Sequence, residues 1–389
     1  MLSFYHGALL LQHLDNFNSL IVRSFFFISS LMLLISLPNV SAQQTAGDSL
    51  GRDKEGHVRK IQPVILPVFY YSPETHEAIG ITGLLLFKTN EKTARTSYID
   101  FLSLTTRRKQ RIAQCMWSVF TPGERFFIKG EAYYSKFPDY FYGIGNQTTT
   151  DMREAIRYKT FRTNSWVLHQ LKHHLFFGPQ YQFYKVFDTH FPTPSQYNVN
   201  NLESINGSMT SGVGLAIVYD TRNHTTNAHK GWYMEASSYT YSAVTGSEYT
   251  FTSVLLDIRK YIPLSAKATL ALALTNNLNF GDVPFKQLAY LGGTRNMRGY
   301  YEGRFRDKNG FVLQAEYRQT AYRRWGFVIF GTLGNVYSDL PNLINNAPKY
   351  TVGAGLRFKI NRKENTNLRV DEGVGMNTRG TYGNFGEAF

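Results

Sequence analysis

The chain has 389 residues, with 42 Lys and Arg against 28 Asp and Glu for a formal net charge of +14, and it is rich in Phe (29), Tyr (26) and Gly (32). Its one cysteine excludes an internal disulfide framework and a cysteine-based zinc cluster, and 15% aromatic with only 18% charged residues argues against disorder. Past the N-terminus no apolar run reaches the roughly 18 residues of a membrane helix, which leaves a soluble β protein or a transmembrane β-barrel, whose two opposed faces average to a slightly negative mean hydropathy.

Arg23 precedes an apolar core from Phe25 to Leu37, followed by Pro38-Asn39-Val40-Ser41-Ala42. Small or apolar residues at Val40 and Ala42 fit a secretory cleavage site, so residues 1–42 are expected to be a cleaved signal peptide. The segment ahead of Arg23 is long for such a signal, so the true start could lie downstream. Residues 43–60 are polar and read as a short periplasmic leader.

From Ile61 to Phe389, segments of about ten residues alternate apolar with polar and are separated by turn residues. Sixteen strands are expected near 61–71, 78–89, 96–105, 111–120, 125–136, 156–171, 174–187, 209–219, 230–241, 247–261, 267–280, 308–319, 325–336, 349–360, 366–375 and 379–389. Successive side chains of a strand point to opposite faces. Phe126, Ile128, Ala132 and Tyr134 thus oppose Lys129, Glu131 and Tyr133, and Phe311, Leu313, Ala315 and Tyr317 oppose Gln314, Glu316 and Arg318. One face is apolar, and the other mixes small with charged residues, which suits a wall around a wet, partly filled lumen. Phe69-Tyr70-Tyr71, Tyr133-Tyr134, Phe176-Phe177, Tyr239 and Tyr241 near segment ends read as interface girdles. An even strand count fits an all-β bacterial barrel with both termini in the periplasm, and closure is obligatory because lipid cannot satisfy an open sheet edge.

Between the eleventh and twelfth strands runs Leu291-Gly292-Gly293-Thr294-Arg295-Asn296-Met297-Arg298-Gly299-Tyr300. A loop of this length beside a lumen can fold inward, and an Arg at its tip can present a guanidinium to an acidic wall group in a charge-assisted bond. Composition alone favours a mobile surface loop.

The stretch Gly292-Gly293 … Met297-Arg298-Gly299-Tyr300 resembles the sixth-loop motif of the BamA/TamA outer-membrane assembly family, the bacterial surface-antigen family, with Met297 where Val is usual. Tyr219-Asp220-Thr221-Arg222 with Lys230-Gly231-Trp232 is similar to its eighth-to-ninth strand junction. Glu316-Tyr317-Arg318 resembles its twelfth strand, and Asn367-Leu368-Arg369-Val370-Asp371 its penultimate strand. Phe389 resembles the C-terminal aromatic signal of barrels delivered to the assembly machinery, and Pro67 through Gly80 is similar to the opening strands of Bacteroidota members. The resemblance spans residues 61–389 and implies a sixteen-stranded barrel in the bacterial outer membrane. It further implies a lumenal loop carrying Gly292, Gly293, Arg298, Gly299 and Tyr300, and a working seam between strands 61–71 and 379–389, the latter loosened by Gly380, Gly383 and Gly386.

Two departures stand out. Where the family's thirteenth strand carries Phe-x-Asp-x-Gly, this chain has Phe330-Gly331-Thr332-Leu333-Gly334, so Thr332 replaces the Asp that helps anchor the loop. Glu316 is then the expected partner of Arg298, with Asp371 second and Arg318 beside them on the inner wall. Residues 43–60 are too few for a POTRA domain, so a periplasmic protein is the expected substitute.

Cys115 reads as a buried or lipid-facing thiol. His169 and His173 share parity but, four apart in a strand, lie about 13 Å from each other, too far to share a metal. Asp220 with Arg222 and Asp257 with Arg259 read as inward charge ladders. No Walker loop, nucleophile elbow or zinc motif is present, so no enzyme, cofactor or metal is expected. The +14 charge comes without a nucleic-acid motif, and is expected to meet outer-membrane lipids, including lipopolysaccharide phosphates, or to line the lumen. The expected function is assistance to insertion or translocation of proteins or lipids at the outer membrane. The alternative is a passive channel or structural barrel.

Overall fold

The period of two that runs through the chain closes on itself. The computed structural model describes residues 61–389 except 88, 90–96, 196, 198–203, 225–226 and 362–365. The expected signal peptide (1–42) and expected leader (43–60) therefore lie outside the described residues. In chain order the strands are β1 (Ile61–Ser72), β2 (His76–Phe87), β3 (Ser97–Thr106), β4 (Arg111–Phe120), β5 (Phe126–Phe141) and β6 (Glu154–Lys172). There follow β7 (Leu175–His190), β8 (Ser208–Asp220), β9 (Gly231–Tyr241), β10 (Phe251–Ser265), β11 (Ala268–Gly281), β12 (Ala289–Leu291) and β13 (Phe305–Asp307). The last are β14 (Asn309–Tyr322), β15 (Trp325–Tyr337), β16 (Lys349–Asn361), β17 (Thr366–Gly375) and β18 (Thr378–Phe385). Sixteen of these close an antiparallel barrel in which β11 pairs β14 and β1 meets β18, while β12 and β13 form a small separate hairpin. No helix among the described residues is long and apolar enough to cross a membrane.

One rim carries the tight turns at 173–174, 266–267 and 323–324, and the other carries the long connections at 142–153, 191–207 and 282–308. Outer-membrane barrels keep short turns on the periplasmic side and long loops outside, which orients the chain. Ile79, Ile81, Leu215, Ile217, Ile329, Val352 and Leu356 face outward and are exposed, as lipid-facing residues should be. On β14, Leu313 and Tyr317 face outward while Gln314, Glu316 and Arg318 are buried inside.

The structure departs from the sequence expectations in three places. First, β5 to β7 run longer, to 16, 19 and 16 residues, and extend the wall at the loop rim. Secondly, Tyr133, Phe176, Tyr239 and Tyr241 do not belong to a girdle. Tyr133 stacks under Arg162, Phe176 meets Phe127, Tyr239 accepts from Trp166, and Tyr241 stacks on Phe251. Parity explains this, because Tyr239 and Tyr241 share the face of Glu235, a lumenal residue paired with Lys129. The lumen is therefore substantially filled, with one apolar cluster joining Tyr239, Tyr241, Phe251 and Phe141 to Phe285 and Leu288 of the long loop. Thirdly, the last strand ends at Phe385 rather than 389. Gly386, at φ +75, turns the chain off the wall, and Phe389 lies inside with its ring over Arg318 and against Tyr261 and Ala271.

The seam between β1 and β18 is the thinnest part of the ladder. The β1–β2 register runs unbroken from Ile61↔Phe87 to Ser72↔His76. Between β1 and β18, only Tyr71↔Gly383 is in register among the described residues. Because β18 ends at Phe385, the turn-rim part of β1 runs past it. Pro63 and Pro67 share the parity of Tyr71, and proline is tolerated where a strand's N–H faces no partner.

Candidate functional site: a lumenal loop anchored to the inner wall

The connection from β11 to β14 folds into the lumen, and glycine permits its course. Gly292 has φ +106, and a Cβ there would lie 2.0 Å from the Tyr301 carbonyl oxygen. The crossing closes with Gly293 N–H donating to the Tyr300 carbonyl at 3.0 Å and Gly303 N–H to the Leu291 carbonyl at 3.0 Å. Leu291, Met297, Tyr300 and Phe305 then pack on Val312 and Val336 of the wall, so Met297 serves as a buried apolar anchor.

This packing places Arg298 in a fully buried position. Its Nη2 donates to Glu316 on β14, and its Nη1 to Asp371 Oδ2 on β17 at 2.6 Å. The guanidinium also lies 3.6 Å from the centroid of the Phe330 ring. The structure thus brings both sequence-named acids to Arg298 at once. Thr332, in the position of the missing Asp, leaves its hydroxyl without a hydrogen bond among the described residues. Arg318 does not touch Arg298 but holds the second oxygen of Glu316 at 2.8 Å.

Sequence reasoning missed the rest of the network. Arg357 donates to Asp371 and, at 2.8 Å, to Glu387. Arg369 reaches Asp371 at 3.0 Å and the loop carbonyl of Thr294 at 3.2 Å. Four arginines thus share three carboxylates, and each arginine keeps one buried nitrogen without an acceptor among the described residues. Inward parity with Glu316 and Asp371 was the available signal for Arg357 and Arg369. No sequence feature pointed to Glu387, which reaches the network only because the chain leaves the wall at Gly386.

The same loop grips both sides of the seam. On the β18 side, Gly299 N–H donates to the Tyr382 hydroxyl at 3.0 Å, and that hydroxyl donates to the Tyr300 carbonyl at 3.1 Å. The Thr378 hydroxyl donates to the Gly299 carbonyl at 3.0 Å, and Met376 N–H to the Tyr300 hydroxyl at 3.0 Å. On the β1 side, Glu302 N–H donates to Glu74 Oε1 at 2.7 Å, and Glu74 sits buried in the β1–β2 turn. Farther round, Asp139 accepts from Tyr301 at 2.9 Å, from Tyr158 at 2.7 Å and from Lys286 at 3.3 Å.

Burial, and next the charge of Glu302, push the Glu74 carboxyl up to about 7. The unfolded carboxyl titrates near 4.5, so the folded chain holds the extra proton between the two values. The contribution of this group to stability is full below about 4.5 and is lost as pH rises to about 7. The loop's hold on the β1–β2 turn is accordingly expected to be firmer at pH 5 than at pH 8, read as protease resistance of the loop. Glu74→Gln should flatten that slope and match the acid-form wild type at pH 8. A variant with the wild-type slope would contradict it.

The other singled-out residues sit away from this loop. Asp220 with Arg222 and Asp257 with Arg259 form inward pairs, and both arginines lie over the Tyr233 ring. His169 packs its edge on Phe126, and no group of three or more His, Cys, Asp or Glu among the described residues has metal-binding geometry. Cys115 has the outward parity of β4 and is half-buried.

The family model of the Omp85 superfamily domain matches residues 121–371. Among solved structures, the chain is similar to BamA from Haemophilus ducreyi lacking POTRA domains 1–3, at TM-score 0.55 and 12% identity, over 87% of this chain and 74% of that one. It is similar to CdiB from Escherichia coli at TM-score 0.56 and 10% identity, over 87% of this chain and 66% of that one. CdiB from Acinetobacter baumannii gives TM-score 0.55 and 13% identity, over 84% of this chain and 60% of that one. At such identities the likeness describes the fold. No curated protein sequence matches the chain.

Proposed function

The chain belongs to the Omp85 superfamily of outer-membrane barrels, and from that premise we propose that it assists insertion or translocation of proteins or lipids by opening its β1–β18 seam. The observation that carries this reading is the contrast at the seam, with one registered backbone pair against continuous ladders at β1–β2 and its counterparts. An unpaired strand edge is costly in hydrocarbon, where no water satisfies its N–H and C=O groups. The same edge is a template on which another strand can pair. The Arg298 loop bridges the two sides of the seam from within, so its docked position biases the seam toward closure.

Depletion of the protein, followed by a survey of outer-membrane proteins and lipid asymmetry, tests the proposal. A fall in barrel proteins or a loss of asymmetry supports it, and no change in either contradicts it. A periplasmic partner in the role of POTRA domains is part of the proposal, and affinity capture from native membranes would identify it. A passive channel would instead give steady, well-defined openings in planar bilayers. The apolar clusters that fill the lumen favour a closed or flickering barrel.

A further inference from the structure

On the outward face of β4 to β7, at the loop rim, basic residues stand directly opposite one another. The register pairs Arg111 with Lys136, and Lys136 with Lys159. Like charges directly opposite in an antiparallel ladder destabilise it. Arg157 faces outward one row nearer the rim on β6, and Lys185 faces outward on β7 opposite Phe161. Asp188 holds Lys159 at 2.6 Å, but Arg111, Lys136, Arg157 and Lys185 have no acidic partner among the described residues. The corresponding outward row on β9 to β11 carries no charge and reads Thr240, Thr252 and Phe280.

The height of the row identifies what it meets. Tyr134 and Phe161 are paired on the same face, two residues closer to the bilayer centre, which is about 7 Å along the strand. Aromatic side chains of this kind sit at headgroup level, so the basic row lies at or just above it on the outer side. Beside the row opens a cleft of about 420 Å³ lined by Arg108, Tyr140, Arg157, His190 and Phe191, with Asp139 in its wall already held by Tyr158, Tyr301 and Lys286. Arg108 and Arg153 both lie over the Tyr140 ring at 4.7 Å, which holds cations at the cleft mouth.

We propose that this sector binds the phosphate groups of a phosphorylated glycolipid in the outer leaflet. Apolar wall below, aromatics at the boundary and cations above complement acyl chains, the headgroup boundary and phosphates in that order. The ligand's charge relieves the repulsion built into the Arg111–Lys136–Lys159 row. This proposal rests on the orientation of the barrel and not on any activity of the seam.

The test compares the full-length barrel in phosphatidylcholine vesicles with and without diphosphorylated lipid A, reading the heat-modification midpoint. The wild type should gain stability with lipid A and not with its dephosphorylated form. Arg111→Ser/Lys136→Ser/Arg157→Ser should raise the lipid A fraction needed for half the effect by roughly tenfold or more. Lys136→Ser alone should raise the midpoint in pure phosphatidylcholine, where repulsion is unrelieved, which separates the proposal from a folding defect. A triple variant that keeps the wild-type lipid A response would overturn the proposal. So would an equal response to phosphatidylglycerol at matched charge.

Discussion

Replacing Arg298 with alanine is expected to release the lumenal loop from the wall, lowering the heat-modification midpoint and opening the loop to protease. Arg298 is fully buried and bonded to two carboxylates on different strands, Glu316 and Asp371. Truncation removes two charge-assisted hydrogen bonds and the contact with Phe330, a loss on the order of 3 kcal/mol. The effect does not come from net charge, because three arginines would still face three carboxylates. It comes from geometry, since only a planar guanidinium spans β14 and β17 together. Arg298→Lys should therefore recover only part of the loss, because an ammonium cannot hold both acids in that fork. Unchanged midpoint and protease resistance in Arg298→Ala would contradict the bracing role.

Gly373→Ala is expected to displace the same loop from the other direction. Gly373 faces inward on β17, and a Cβ there would lie 2.5 Å from both the carbonyl carbon and oxygen of Arg298 and 2.8 Å from Gly299 N. These are backbone atoms, which cannot rotate away as a side chain would. Either the loop shifts and loses the bond from Gly299 N–H to the Tyr382 hydroxyl and the bond from that hydroxyl to the Tyr300 carbonyl, or the wall deforms. Overpacking of this kind typically costs about 1–3 kcal/mol. Gly83→Ala, on the outward face of β2 with open space around it, is the matched control and should be neutral. Equal protease sensitivity of the two variants would contradict the account.

The wall was legible because a strand repeats every two residues, and one slip would turn Glu316 outward and Tyr317 inward. The same parity, with the missing Asp at Thr332, pointed to Glu316 and Asp371 as acids for Arg298. It did not show that one guanidinium would hold both, since that depends on how the loop seats Arg298 against the stretch of wall that runs from β14 through β15 and β16 to β17. Tyr239 and Tyr241 have the aromatic character of a girdle but the parity of the lumen, and parity decides their place. The hairpin of β12 and β13 has three-residue strands, too short to carry a period. The inward course of Phe389 follows from one backbone angle at Gly386, which composition does not reveal.

A reversible lock on the seam tests the central claim most directly. In a Cys115→Ser background, Tyr71→Cys and Gly383→Cys place thiols on directly opposed residues, within the spacing that a disulfide requires. The account predicts that the oxidised barrel folds and reaches the membrane but fails to maintain outer-membrane protein or lipid levels, and that reduction restores them. An oxidised, fully cross-linked barrel that maintains those levels as well as the wild type would contradict it.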